Sequence, residues 1–136
     1  FFADKYYGFD DGVYAAVRLL NIISSNIAIT KVLSIFDNYF STPEIKIECA
    51  DNVKFLAIEK IKKFVITKYK NINCIDGVRV NTSKGWFLIR ASNTQPALII
   101  RCESKEEKNL INLVKEVKKI VSIIGKNENV FFNFRL

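Results

Sequence analysis

Apolar side chains recur along this chain at spacings that switch between helical and extended. Over residues 9–26 the stripe Val13, Ala16, Val17, Leu20, Ile23 repeats every three to four residues, behind Asp10 and Asp11. Those carboxylates suit a helix start, so an amphipathic helix is predicted there. A shorter helix is predicted over 28–36, with Val32, Leu33 and Phe36 on one side. Asn38-Tyr-Phe-Ser-Thr-Pro43 then breaks the pattern and ends in a proline that disfavours helix at Thr42. It reads as a linker and a candidate hinge, with a domain boundary between residues 40 and 41.

Beyond the boundary, residues 44–49 alternate polar and apolar, the period of a strand. Residues 52–69 return to helical spacing, with Phe55, Ile58, Ile61, Val65 and Ile66 expected inward. Gly77 and Gly85 punctuate four short extended stretches, near 73–75, 78–81, 86–90 and 97–103. A last helix is predicted over 105–124, with Leu110, Leu113, Val114, Val117, Ile120, Val121 and Ile124 apolar, stopped by Gly125. Helix, antiparallel meander and helix argue for a two-layer α+β domain, its sheet covered by helices on one face. The tail from Lys126 contains Val130, Phe131, Phe132 and Phe134, which suit an added strand or a poorly ordered end.

Composition changes this picture little. The 136 residues are 49% hydrophobic, enough for a packed core. They contain no Met and open Phe1-Phe2, so the chain is expected to be a piece of a longer protein. The net charge of +7 raises the possibility of nucleic-acid binding. Against it, 16 of the 21 basic residues are Lys and only 5 are Arg, and Lys60, Lys62, Lys63, Lys68 and Lys70 fall on the solvent side of one helix. Neither a membrane span nor a nucleic-acid surface is expected. Cys49, Cys74 and Cys102 have no metal-binding spacing and read as buried, unpaired thiols in a reducing, cytoplasmic setting. There is no His, which removes the commonest general base and metal ligand.

One stretch carries candidate chemistry: Arg90-Ala-Ser92-Asn93-Thr94-Gln95-Pro96, between two apolar strands. Arg90 offers a forked, permanently charged donor for an anion, Ser92 and Thr94 offer hydroxyls, and Asn93 offers an amide. A tight loop could add several inward backbone N–H groups. On residue types alone, a plain hairpin turn whose Ser, Asn and Thr satisfy the backbone is the stronger reading.

The loop, preceded by Gly85-Trp86 and followed by Leu98-Ile-Ile-Arg101, closely resembles the phosphate-binding loop of the α-D-phosphohexomutase superfamily. The segment from Phe1-Phe2-Ala-Asp through Tyr6-Tyr7-Gly8-Phe9-Asp10 is similar to the stretch after that family's sugar-recognition loop. Asp76-Gly77-Val78-Arg79-Val80 is similar to the lead into its Gly-Trp strand. Asn93, where phosphoglucosamine mutases usually carry Gly, points to the phosphomannomutase/phosphoglucomutase subgroup.

The resemblance implies that residues 1–40 are the end of domain 3 and 41–136 are domain 4, with a TATA-binding-protein-like fold. It implies that Arg90, Ser92, Asn93 and Thr94 bind the substrate phosphate that is not being transferred. It places the phosphoserine, the Mg²⁺ loop and the sugar loop in upstream domains of the same enzyme, so this chain would hold no catalytic residue and bind no cofactor itself. The parent would interconvert hexose 1-phosphate and hexose 6-phosphate through a bisphosphate intermediate. A free-standing phosphosugar-binding module is the alternative. Gln95, where the family commonly has an acidic or hydroxyl residue, and the tail from Lys126 depart from the pattern.

Overall fold

The structure, a computed structural model, describes residues 5–25 and 28–127. Residues 1–4, 26–27 and the tail from 128, with the strand expected there, lie outside the described residues. The described chain divides into two compact units, residues 1–37 and 38–136.

In the first unit, helix α1 covers Gly12–Ser24. Asp11 caps it, accepting a 2.8 Å bond from the Tyr14 N–H at one carboxylate oxygen and another from the Tyr6 hydroxyl at the other. The Tyr14 N–H and then the Tyr6 hydroxyl hold the Asp11 carboxyl below its usual range. The rings of Tyr6 and Tyr14 stack at 4.5 Å. The expected apolar stripe is present, yet no residue of α1 is buried. Helix α2 is a single short turn, Ile29–Leu33, and stops before the predicted end at Phe36, with Ser34 as its C-cap.

The second unit is one antiparallel sheet with two helices. Its elements are β1 (Phe40–Ser41), β2 (Ile45–Glu48), α3 (Asp51–Lys68), β3 (Ile72–Asn73), β4 (Val78–Thr82), β5 (Gly85–Ala91), β6 (Ala97–Ser104) and α4 (Glu107–Asn127). β4, β5 and β6 form the expected meander, β3 extends it beyond β4, and both β1 and β2 pair with the outer side of β6. The fold is the two-layer α+β arrangement expected.

Residues 38–43 are only in part a linker. Phe40 and Ser41 pair with Ser104 and Glu103, and Thr42 both donates its N–H to the Cys102 carbonyl and accepts the Cys102 N–H at its hydroxyl. The edge of β6 beyond Ile100 offers unpaired backbone groups, and this segment satisfies them. The pairing lapses around Pro43, which has no N–H to give.

Alternate residues of each strand point into the core: Ile45 and Ile47, Val78 and Val80, Phe87 and Ile89, Leu98, Ile100 and Cys102. They meet Ala57, Ile58, Ile61 and Val65 of α3 and Leu113, Val117, Ile120, Val121 and Ile124 of α4. Two expectations for the helices are corrected. Phe55 and Ile66 are exposed, because the inward stripe of α3 runs 54, 57, 58, 61, 65. Gly125 does not stop α4, which continues to Asn127. A glycine ends a helix when it takes the left-handed conformation; inside a helix it costs only about 1 kcal/mol against Ala. Tyr69, at the end of α3, donates a 2.5 Å hydrogen bond to Glu116 on α4 and ties the helices together.

None of the three cysteines is in a disulfide. Burial pushes the Cys102 thiol up to about 12, and it raises Cys49 as well against the pull of Lys54. Cys74 is half-buried. A thiol reagent at pH 8 should therefore modify one cysteine per native chain, Cys74, and all three after denaturation. Peptide mapping that found Cys102 labelled as fast as Cys74 would show that the core opens readily.

Candidate functional site

The face of the sheet opposite the helices bears a row set by strand register. Lys46 of β2 stands opposite Ile99 of β6, and Ile99 opposite Arg90 of β5. Directly opposed residues share a face, and strands lie about 4.8 Å apart, so Lys46 and Arg90 are about 10 Å apart on one surface. Further along β5, Arg79 stacks on Trp86 at 4.0 Å, and the Trp86 indole N–H donates to Glu103 at 3.2 Å.

Gly77 lies beside Arg90, immediately before β4. Its φ is +76°, and a Cβ there would come within 2.6 Å of Arg90 Cβ and 2.7 Å of Arg90 Cα. Only glycine lets the chain pass so close to β5. The passage carries Asp76 to Arg90, where a carboxylate oxygen sits 3.7 Å from the guanidinium. Asp76 is largely exposed and the pair is long, so it is worth at most about 1 kcal/mol. It orients Arg90 without neutralising it tightly. The sequence reading gave Asp76 no role at the loop.

The loop itself is closed by its own hydrogen bonds. Ser92 N–H donates to the Ala97 carbonyl at 2.9 Å, and Ala97 N–H to the Gln95 carbonyl at 2.8 Å. The buried Ser92 hydroxyl oxygen accepts from the N–H groups of Thr94 and Gln95, at 3.4 and 3.1 Å. This differs from the expected nest of inward amides, because a local hydroxyl competes for those donors. Among residues 92–95, the Asn93 N–H makes no such bond. Ser92 accepts both amides and keeps its own hydroxyl proton available to donate.

The four predicted residues are thus gathered at one end of β5. Arg90 is half-buried on the open face, Ser92 is buried as the organiser of the loop, and Asn93 and Thr94 are exposed. The donors left over are a guanidinium, a hydroxyl proton, a side-chain amide and a second hydroxyl, a set suited to an oxyanion.

The loop is also tied to the domain from behind. Cys49 N–H donates to the Pro96 carbonyl at 2.9 Å. The Lys54 ammonium, from the first turn of α3, donates to the Gln95 carbonyl at 3.1 Å. Sequence reasoning missed Lys54, although a lysine on the inward stripe of an amphipathic helix was the signal. Among the described residues no three of His, Cys, Asp and Glu stand together as a metal site.

Residues 44–120 match the family model for the phosphoglucomutase/phosphomannomutase C-terminal domain. A phosphomannomutase/phosphoglucomutase of Pseudomonas aeruginosa is 44% identical over 111 residues, covering 81% of this chain and 24% of its own length. A phosphoglucomutase of Neisseria meningitidis serogroup A is 34% identical over 134 residues, covering 97% of this chain and 28% of its own. A crystal structure of a phosphoglucomutase/phosphomannomutase family protein from Burkholderia thailandensis superposes with a TM-score of 0.77 at 30% identity. It covers 100% of this chain and 28% of its own. The chain spans about a quarter of the length of the curated relatives it matches.

Proposed function

The chain belongs to the phosphoglucomutase/phosphomannomutase family, whose C-terminal domain it carries, and we propose that its 90–96 loop binds the substrate phosphate that is not being transferred. The observation that carries this reading is the loop's donor set. Arg90 is only weakly paired, and Ser92, Asn93 and Thr94, which follow it at the same end of β5, bring a hydroxyl, an amide and a second hydroxyl close to it along the chain. An oxyanion would satisfy all four at once.

On this reading the whole enzyme passes phosphate between the 1- and 6-positions of a hexose through a phosphoserine and a bisphosphate. Other segments of it supply the serine, the sugar contacts and the Mg²⁺ that would assist the transfer. A substrate whose ends exchange roles must be held in two orientations, and one cradle for whichever phosphate is idle serves both. This chain contributes positioning rather than bond-making. Residues 1–40 are then the end of the preceding domain and 41–136 the C-terminal domain; the second compact unit starts slightly earlier, at Asn38.

The setting is cytoplasmic on this reading. The unpaired cysteines support it. Among the described residues no helix is long and apolar enough to cross a membrane.

Arg90→Lys tests the assignment. A point charge cannot reproduce a two-pronged contact, so binding of glucose 1-phosphate, followed by NMR titration of the 136-residue chain, should weaken by about tenfold or more. Unchanged affinity would remove Arg90, and with it the loop, from the phosphate site.

A further inference from the structure

We propose that Lys54 is the positioning residue of this loop, holding it in its binding conformation from the helix side. The inference rests on the functional reading above and extends it to a side chain outside the loop.

A lysine is among the residues least often found fully buried. Lys54 is only 4% exposed, with the residues of its stripe packed in the core below it. Its ammonium has two polar partners, the Asp51 carboxylate at 2.5 Å and the Gln95 carbonyl at 3.1 Å. Asp51 sits one turn earlier on the same helix and is mostly in solvent. The contact that reaches across 41 residues of sequence is the one to the loop.

That contact is not needed to satisfy the carbonyl. Gln95 O already accepts the Ala97 N–H, so a domain built for stability alone could place Met or Leu at 54 and avoid desolvating a charge. What the ammonium adds is local. It holds the Gln95 carbonyl, on the far side of one Cα from the Gln95 N–H that donates to the Ser92 hydroxyl, and so restrains the residue on which that loop-closing bond depends.

Stability and affinity should therefore separate. In Lys54→Met the unfolding temperature of the 136-residue chain should be no lower than in the parent. Glucose 1-phosphate should nevertheless bind at least about threefold more weakly, and the Gln95 amide should exchange faster with solvent. Lys54→Arg, which retains charge and donors, should restore affinity to within about twofold. Affinity unchanged in Lys54→Met, or affinity and unfolding temperature falling together, would overturn the proposal. Arg90→Lys is measured alongside. If Arg90→Lys weakens binding and Lys54→Met does not, the loop assignment stands and the role of Lys54 falls. If the parent chain gives no loop-centred shifts with glucose 1-phosphate, both fall.

Discussion

Gly77→Ala should destabilise the C-terminal domain by about 3 kcal/mol and weaken its hold on phosphate. Two effects combine. At φ +76° an alanine is in the left-handed region, which costs an L-residue about 1–2 kcal/mol. The added methyl would also press on the Arg90 backbone, at 2.6 and 2.7 Å from Cβ and Cα, and on the Ile89 carbonyl. These are atoms of a central strand, paired on both sides, and cannot swing aside as a flexible side chain would. Overpacking of this kind adds about 1–3 kcal/mol. For a domain of this size about 3 kcal/mol lowers the unfolding midpoint by on the order of 15 °C. Because the strained atoms belong to Arg90, glucose 1-phosphate binding measured well below the new midpoint should fall too. A midpoint within about 2 °C of the parent would show that the 76–77 turn can move without disturbing β5.

Gly77 shows what was legible in the sequence and what was not. Its place in a recognisable Asp-Gly segment was visible, but the reason for it was not. The reason is a contact with a strand twelve residues further on. Strand alternation located β2, β4, β5 and β6 to within a residue or two, because a sheet with one covered face imposes a strict period of two. The inward stripe of α3 was misplaced because Lys54 lies on it. A lysine reads as a solvent residue, and that bias pulled Phe55 and Ile66 into the expected core.

The loop residues could be named from their resemblance to a known family. That Ser92 would take up two of the loop's own amides could not, since a hydroxyl beside free N–H groups has no sequence mark for which partner it will choose. The pairing of Phe40 and Ser41 with β6 was hidden in the same way. Two residues carry no period, and the turn-like composition around them was the louder signal.

The largest difference within this chain should appear in amide exchange. Backbone amides in β5, β6 and the middle of α4 lie in one cooperative core, so they open only with the domain as a whole. A domain stable by about 5 kcal/mol slows them by a factor of several thousand. Helix α1 stands in another regime. None of its 13 residues is buried, and Val13, Leu20 and Val17 are 77%, 63% and 57% exposed. A helix of that length in water is marginal even with a good cap such as Asp11. The apolar stripe suited to burial therefore contributes little here, although each such side chain would gain about 1.5–3 kcal/mol by being covered. In dilute solution the α1 amides should exchange within about tenfold of their unprotected rates. Raising the protein concentration should slow them only if copies of the chain associate through that stripe, which sedimentation would detect. Strong protection of both α1 and β5 in a monomer would show that the stripe is buried in solution and that the two units fold as one.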